Sequence, residues 1–412
     1  MRTQEETGRL ENGEGQGILL RRFTPFRATS MVVMLSYWYM LTSGFNMVAI
    51  GPSLGPISEH FHISLASGGL LFAAQQLPYI GGTLTAGIVS DVIGRRPVVI
   101  VMMVLYSAGM GIFALAPSWT TALLGMALYG LAFGAGDGLF TAVAGDLNSE
   151  RRGFAMNLLF VFHGLGALSA PLSVGLVVAA GLSWRWPFVG STISALAMLC
   201  ATLIIPYPHP GEGERLDARA IGRLVRQPDL ILICVQLFLY YAVEVGIYGW
   251  LAAYLTAERG VAEALAPLGV SLFWGGLTAG RLLSLRYVER IGYLRLVLIC
   301  ILGALVSLGV ALLVRPIGLA LLFFTLTGLF CSVIWPTLAA AGGQRFPQWL
   351  GTVNGLMIAA TALGGGLFGW ALGLVAAATS LRTALMVVMA MIAIMAILQA
   401  PLMRRLHAQG YR

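Results

Sequence analysis

The chain has 412 residues, 58% of them hydrophobic and only 10% charged, and its mean hydropathy is +0.85. Soluble domains carry about 25% charged residues, so this sequence lacks the polar surface to cover itself in water and reads as a polytopic helical membrane protein. The net charge of +8 sits in short turns between apolar runs and forms no patch, which argues against a nucleic-acid partner.

Residues 1–26 are polar, rich in Gly and Glu, and carry no cleavage-site signature. They are expected to form a disordered cytoplasmic tail. Apolar runs then fall near 30–54, 67–90, 97–116, 119–145, 154–180 and 186–205. After the polar stretch 206–228 come 230–255, 266–287, 293–314, 317–341, 350–377 and 383–403. A helical span needs about 20 apolar residues, so twelve transmembrane helices are predicted. All the basic side chains are Arg, and placing both termini inside puts twenty-one on the cytoplasmic side, against Arg185, Arg259, Arg315 and Arg382 outside. That bias fixes the predicted orientation.

The polar stretch divides the chain into halves of similar length. A gap-free offset of 198 residues pairs Asp91-Val-Ile-Gly94 with Glu289-Arg-Ile-Gly292, Gly130-Leu131 with Gly328-Leu329, Gly145 with Gly343 and Gly153 with Gly351. The expected architecture is two pseudo-symmetric six-helix bundles, 27–205 and 229–403, joined by a cytoplasmic linker 206–228, with a cytoplasmic tail 404–412. A substrate site is expected near the midplane between the repeats. The four cysteines lie in apolar runs without metal-ligand spacing, and no aqueous segment carries a phosphate loop or a Ser/His/Asp constellation. No metal, no cofactor and no enzymatic activity are expected.

The turn after the second span reads Gly87-Ile-Val-Ser-Asp91-Val-Ile-Gly94-Arg95-Arg96. It resembles the G-x(3)-D-x-x-G-R-R signature of the major facilitator superfamily. Gly87 allows close helix approach, Gly94 permits the tight turn, and the charges could latch one face of the protein. The resemblance implies the twelve-helix fold of that superfamily over the whole chain. It assigns Gly87, Asp91, Gly94, Arg95 and Arg96 to gating, with Arg281 and Glu289 in the counterpart gate.

Three further stretches are similar to the fucose–glucose–galactose proton-symporter group: Gly136-Asp137-Gly138 with 157–171, Tyr240 to Tyr254, and Phe273-Trp274-Gly275-Gly276 to Arg281. This implies uptake of a sugar or similar polyhydroxylated solute driven by a cation gradient, with a proton as the expected coupling ion. A monomer is expected as the working unit, since the two halves already form the pathway. Ionisable groups within the bilayer are costly and mark function. Asp137 lies nine residues from Asp146, roughly 13 Å deep, with His163 at similar depth, while Glu244 is roughly 22 Å beyond Asp229. Asn46, Gln75 and Gln76 fall in the same broad layer, and Tyr241, Trp250 and Trp274 offer rings for stacking on a sugar. These nine are the candidate ligand or coupling residues. The proton-coupled fucose permeases carry an acid in the first span, and this chain has none between Arg27 and Glu59. Proton coupling then rests on Asp137 or Glu244, with sodium coupling or facilitated diffusion open. A proton-driven drug or metabolite efflux antiporter is the alternative, since Gly164 to Pro171 resembles the Gly-Pro signature of exporters, with Ala170 where that motif has Gly.

Overall fold

In lipid every backbone N–H and C=O must be satisfied within its own segment, and a helix does this for any apolar sequence of sufficient length. The computed structural model describes residues 25–147, 152–205, 207 and 222–407, and among these no strand occurs. The first half comprises α1 (Pro25–Phe61), a single turn α2 (Leu65–Gly68), α3 (Leu70–Ile93), α4 (Arg95–Ala114), α5 (Trp119–Leu147), α6 (Arg152–Ala179) and α7 (Arg185–Ile204). The second comprises α8 (Pro228–Arg259), α9 (Pro267–Ile291), α10 (Tyr293–Leu313), α11 (Ile317–Cys331), α12 (Ile334–Arg345), α13 (Leu350–Ala378) and α14 (Leu381–His407). The expected N-terminal tail and most of the linker lie outside the described residues.

Among the described residues nine segments are long and apolar enough to cross a bilayer, and α11 and α12 together make one of them. The more polar helices α1, α3 and α9 pack among these nine. The chain is a multi-pass helical membrane protein of two related bundles. The predicted span 317–341 is interrupted at Ser332–Val333, because Pro336 has no N–H to give to the carbonyl four residues back and its ring crowds that position. The Ser332 hydroxyl donates to the Leu329 carbonyl at 2.7 Å at this break.

The halves repeat each other contact by contact. Within the first, α1 packs on α6, α3 on α5, and α4 on α5 and α7. Within the second, the corresponding pairs are α8 on α13, α9 on α11, and α10 on α11 and α14. The 198-residue offset survives at atomic detail. Gly94 and Gly292 both take φ of +87°, a left-handed conformation that L side chains rarely adopt, and each links two helices through a tight turn. A Cβ on Gly130 would collide with the Gln75 carbonyl, and one on Gly328 with the Phe273 carbonyl, so both glycines are needed for the same close helix crossing. Gly82 against Leu131 is repeated by Gly280 against Leu329, a pair the turn motifs alone do not reveal.

Between the halves, α3 meets α13, α6 meets α9, and α1 meets α8. The contact is tight at the end opposite the Gly94 and Gly292 turns, here termed the distal end. Phe72 of α3 is fully buried there against Gly249 of α8 and Gly369 of α13. Gly373 and Gly69 close on the Trp250 indole, whose Nε1 donates to the Gly369 carbonyl at 3.1 Å. At the other end, the turn end, α3 presents Gly87, Ile88 and Asp91 as exposed residues, and a Cβ on Gly87 would meet nothing within 4 Å. The bundles are therefore sealed distally, while the turn end of α3 stands exposed.

Candidate functional site

The close α3–α5 crossing brings Tyr79 to Asp137, and the tyrosine hydroxyl donates to Oδ2 at 2.8 Å. Thr83, one turn on, donates to the Gly134 carbonyl at 3.1 Å and fixes the same crossing. Asp137 is only half-buried, and so are Tyr79, His163, Tyr241, Thr278 and Arg281. Asp137 and Tyr241 both lie within Coulombic reach of Tyr79, which places the acid of the first half opposite the tyrosine of the second.

A polar bridge between side chains joins the halves here. Gln76 Nε2 of α3 donates to the Tyr241 hydroxyl of α8 at 3.3 Å, and that hydroxyl reaches Met47 Sδ of α1 at 3.2 Å. Neighbouring residues on a helix point about 100° apart, so Gln75 cannot share this role. It and Asn46 are fully buried inside the first bundle, where Asn46 Nδ2 donates to the Tyr106 hydroxyl at 2.7 Å. Of the three amides expected in the ligand layer, only Gln76 reaches across to the second half.

His163 of α6 meets Ser43 of α1 through Nδ1 at 3.4 Å, and its ring centroid lies 6.3 Å from that of Trp274 on α9. Trp274 in turn lies 6.2 Å from the Tyr248 ring, so α6, α8 and α9 meet around one indole. Glu244 is 4% exposed, with Tyr240 one turn away and Arg281 in Coulombic reach. Trp250 does not join them, being fully buried in the distal seal.

The gating group divides as well. Arg281, expected at a turn beside Glu289, stands elsewhere. Because α9 continues to Ile291, Arg281 lies ten residues inside the helix, within Coulombic reach of Glu244, Tyr240 and His163. It belongs to the polar layer and not to the turn. Glu289's side chain lies outside the described residues. Asp91 is exposed at the turn end, Arg95 is buried, and Arg96 Nη2 donates to the Leu203 carbonyl near the end of α7 at 2.7 Å. Sequence reasoning passes over Tyr79, Phe72 and Thr278. Tyr79 carries the one readable signal, a hydroxyl-bearing ring one turn from Gln75 in an apolar run, where a buried phenol needs a partner.

The family model of the Major Facilitator Superfamily matches residues 37–369. Sodium-dependent glucose transporter 1A of Mus musculus is 20% identical over 306 residues, 66% of this chain and 72% of that protein. Among solved structures, a mutant of the nucleoside transporter NupG superposes with a TM-score of 0.77 at 14% identity, over 91% of this chain and 99% of that one. A variant of the E. coli fucose:proton symporter FucP gives 0.63 at 19% identity, over 91% and 98%. The matched span exceeds three quarters of the sequence and includes the turn motif, the polar layer and the greater part of both bundles: the chain belongs to the major facilitator superfamily of membrane transporters.

Proposed function

We propose that this transporter is a secondary active carrier that moves a small polar solute, a sugar or similar polyhydroxylated molecule, across the cytoplasmic membrane by alternating access. A proton gradient drives it, and a single chain is the working unit. The observation that carries this reading is the half-buried Asp137, held by Tyr79 in the first bundle at the level where Gln76 and Tyr241 meet across the halves. Polar groups placed midway between two repeats are where a polar ligand can be bound and then exposed to either side. The mouse glucose transporter and the fucose:proton symporter support the sugar class and the cation coupling.

The segments 27–205 and 229–403 act as the two moving bodies, linked by 206–228. The Arg-rich turn end is cytoplasmic by the positive-inside bias, with both termini on that side, so the conformation described faces inward. Gly87, Asp91, Gly94, Arg95 and Arg96 serve as the cytoplasmic latch, and Phe72 with Trp250 forms the outer seal.

The test is transport by the full chain reconstituted in vesicles with an imposed pH gradient. Asp137→Asn is expected to abolish uphill accumulation and to spare solute exchange at zero gradient. Wild-type accumulation by that variant would remove Asp137 from coupling.

A further inference from the structure

Two polar groups one turn apart on α9, Trp274 Nε1 and Thr278 Oγ1, are buried with no partner in hydrogen-bonding geometry, and on the adjoining part of α8 the Tyr240 hydroxyl lies beside Glu244 and the Tyr248 hydroxyl beside Tyr241. A buried polar group left unmatched costs about 1–3 kcal/mol, so two at one junction call for a guest. The indole N–H can only donate, and each hydroxyl can donate. Arg281 follows Thr278 by one turn on α9 and brings a full positive charge into the same place. A guanidinium at this depth is expensive, and a neutral sugar, which both donates and accepts, does not require one. A forked, permanently charged donor matches a carboxylate.

Among the described residues, Glu244 is an acid within Coulombic reach of this cation. Facing it are Tyr240, Tyr241 and Tyr248 of its own helix, Arg281 of α9 and Cys331 of α11, with His163 of α6 also in reach of Arg281. Two carboxylates, one from the protein and one from a guest, cannot share a single guanidinium in a dry site without repulsion.

We infer that the transported solute is a sugar acid whose carboxylate is held by Arg281 together with Trp274 and Thr278, and that a proton on Glu244 is the condition for its binding. This rests on the polar-solute reading above and narrows it. Water supplies the proton to a Glu244 carboxylate oxygen, the attraction between Glu244 and Arg281 is lost, and the solute's carboxylate becomes the anion that Arg281 holds. Deprotonation of Glu244 reverses the exchange and expels the solute. The neutral hydroxyls of the solute face Tyr240 and Tyr248.

The experiment is calorimetric titration of the purified full chain with D-gluconate, D-glucuronate, D-glucose and the lipophilic cation tetraphenylphosphonium at pH 5.5 and 7.5, where both acids are ionised. Both acids are expected to bind more tightly than glucose by about tenfold or more, the scale of one charge-assisted hydrogen bond. Their affinity is expected to rise as pH falls, since Glu244 must gain a proton. Glu244→Gln should bind the acids equally at both pH values, at the acidic wild-type affinity. Arg281→Gln should lose the preference for acids, binding them no more tightly than it binds glucose. Arg281→Lys retains the charge and covers a folding failure of the glutamine variant, with the acid preference reduced. Glucose binding as tightly as the acids, or no binding of either acid, overturns the inference and leaves a neutral polar solute in place. Wild-type binding of the acids that ignores pH overturns the part given to Glu244. Binding of lipophilic cations alone overturns the polar-solute reading itself.

Discussion

Trp250 and Trp274 carry the same side chain to different tasks, and their surroundings say which. Trp250 gives its N–H to the Gly369 carbonyl and packs beside Phe72, so its hydrogen-bonding capacity is spent within the seal. Trp274 keeps its N–H unmatched and stands between His163 and Tyr248. Trp274→Phe should therefore weaken solute binding by about 2- to 12-fold, the range of one ordinary hydrogen bond. Trp250→Phe should leave the dissociation constant within about twofold and lower the melting temperature, because it uncaps a carbonyl in a packed interface. Titration beside a melting curve separates the two, and a larger affinity loss for Trp250→Phe would place that ring in the site. In sequence the two residues have the same standing, since each lies beside small or aromatic neighbours in an apolar run. Only the packing of a third helix, α13, tells them apart.

At the scale of elements, the distal seal is a knob of the first half set in a hole of the second. Phe72 enters where a Cβ on Gly249 would approach its ring to 2.7 Å and one on Gly369 its Cβ to 2.6 Å. Gly249→Ala therefore has to push Phe72 out or move α8. Overpacking of this kind costs about 1–3 kcal/mol, and the cost falls only on the state in which the seal is closed. The equilibrium should move toward the distally open state by about 5- to 150-fold. Labelling of a single cysteine introduced at Leu77 by a membrane-impermeant reagent is expected to speed up accordingly, and an unchanged rate would show that the seal does not depend on this fit. Helix positions, turns and the internal repeat are legible in the sequence because each has a local cause: an apolar run, an Arg-bearing turn, or a glycine demanded by φ. The seal is not, because Phe72 and the glycines that receive it lie in different halves and each glycine alone is one of 52. The same limit separates Gln76 from Gln75 and Asn46 in the polar layer, where one residue's rotation about the helix decides which half it faces. Arg281 is hard to place for a related reason: an Arg in an apolar sequence reads as the end of a span, and here the helix continues for ten residues beyond it.

At the scale of the whole molecule, the two ends of α3 are in opposite conditions, one buried between the halves and one exposed, and this bears on when each proposed gating residue would act. With the distal seal closed, Asp91 is exposed and Gly87 has open space before it. Whatever Asp91 contributes to a latch, it contributes in the other state, when the bundles meet at the turn end. Arg96 is differently placed, already tied to the α7 carbonyl of Leu203, and so braces the first bundle in this state. A side chain engaged in only one state changes the equilibrium and the rates between states but makes no contact with the solute. Asp91→Asn should accordingly slow net turnover while leaving the intrinsic affinity of the site in this conformation unchanged. The apparent dissociation constant can rise or fall only through the fraction of molecules in that state, and by the same factor for every solute tested. Arg281→Gln, in contrast, should change affinities selectively, striking acids and sparing neutral sugars. Measuring two solutes against both variants therefore distinguishes a gate from a binding residue without assuming which solute is native. A solute-selective affinity loss in Asp91→Asn would move that aspartate into the site and remove the mechanical basis for reading the turn end as the closing face.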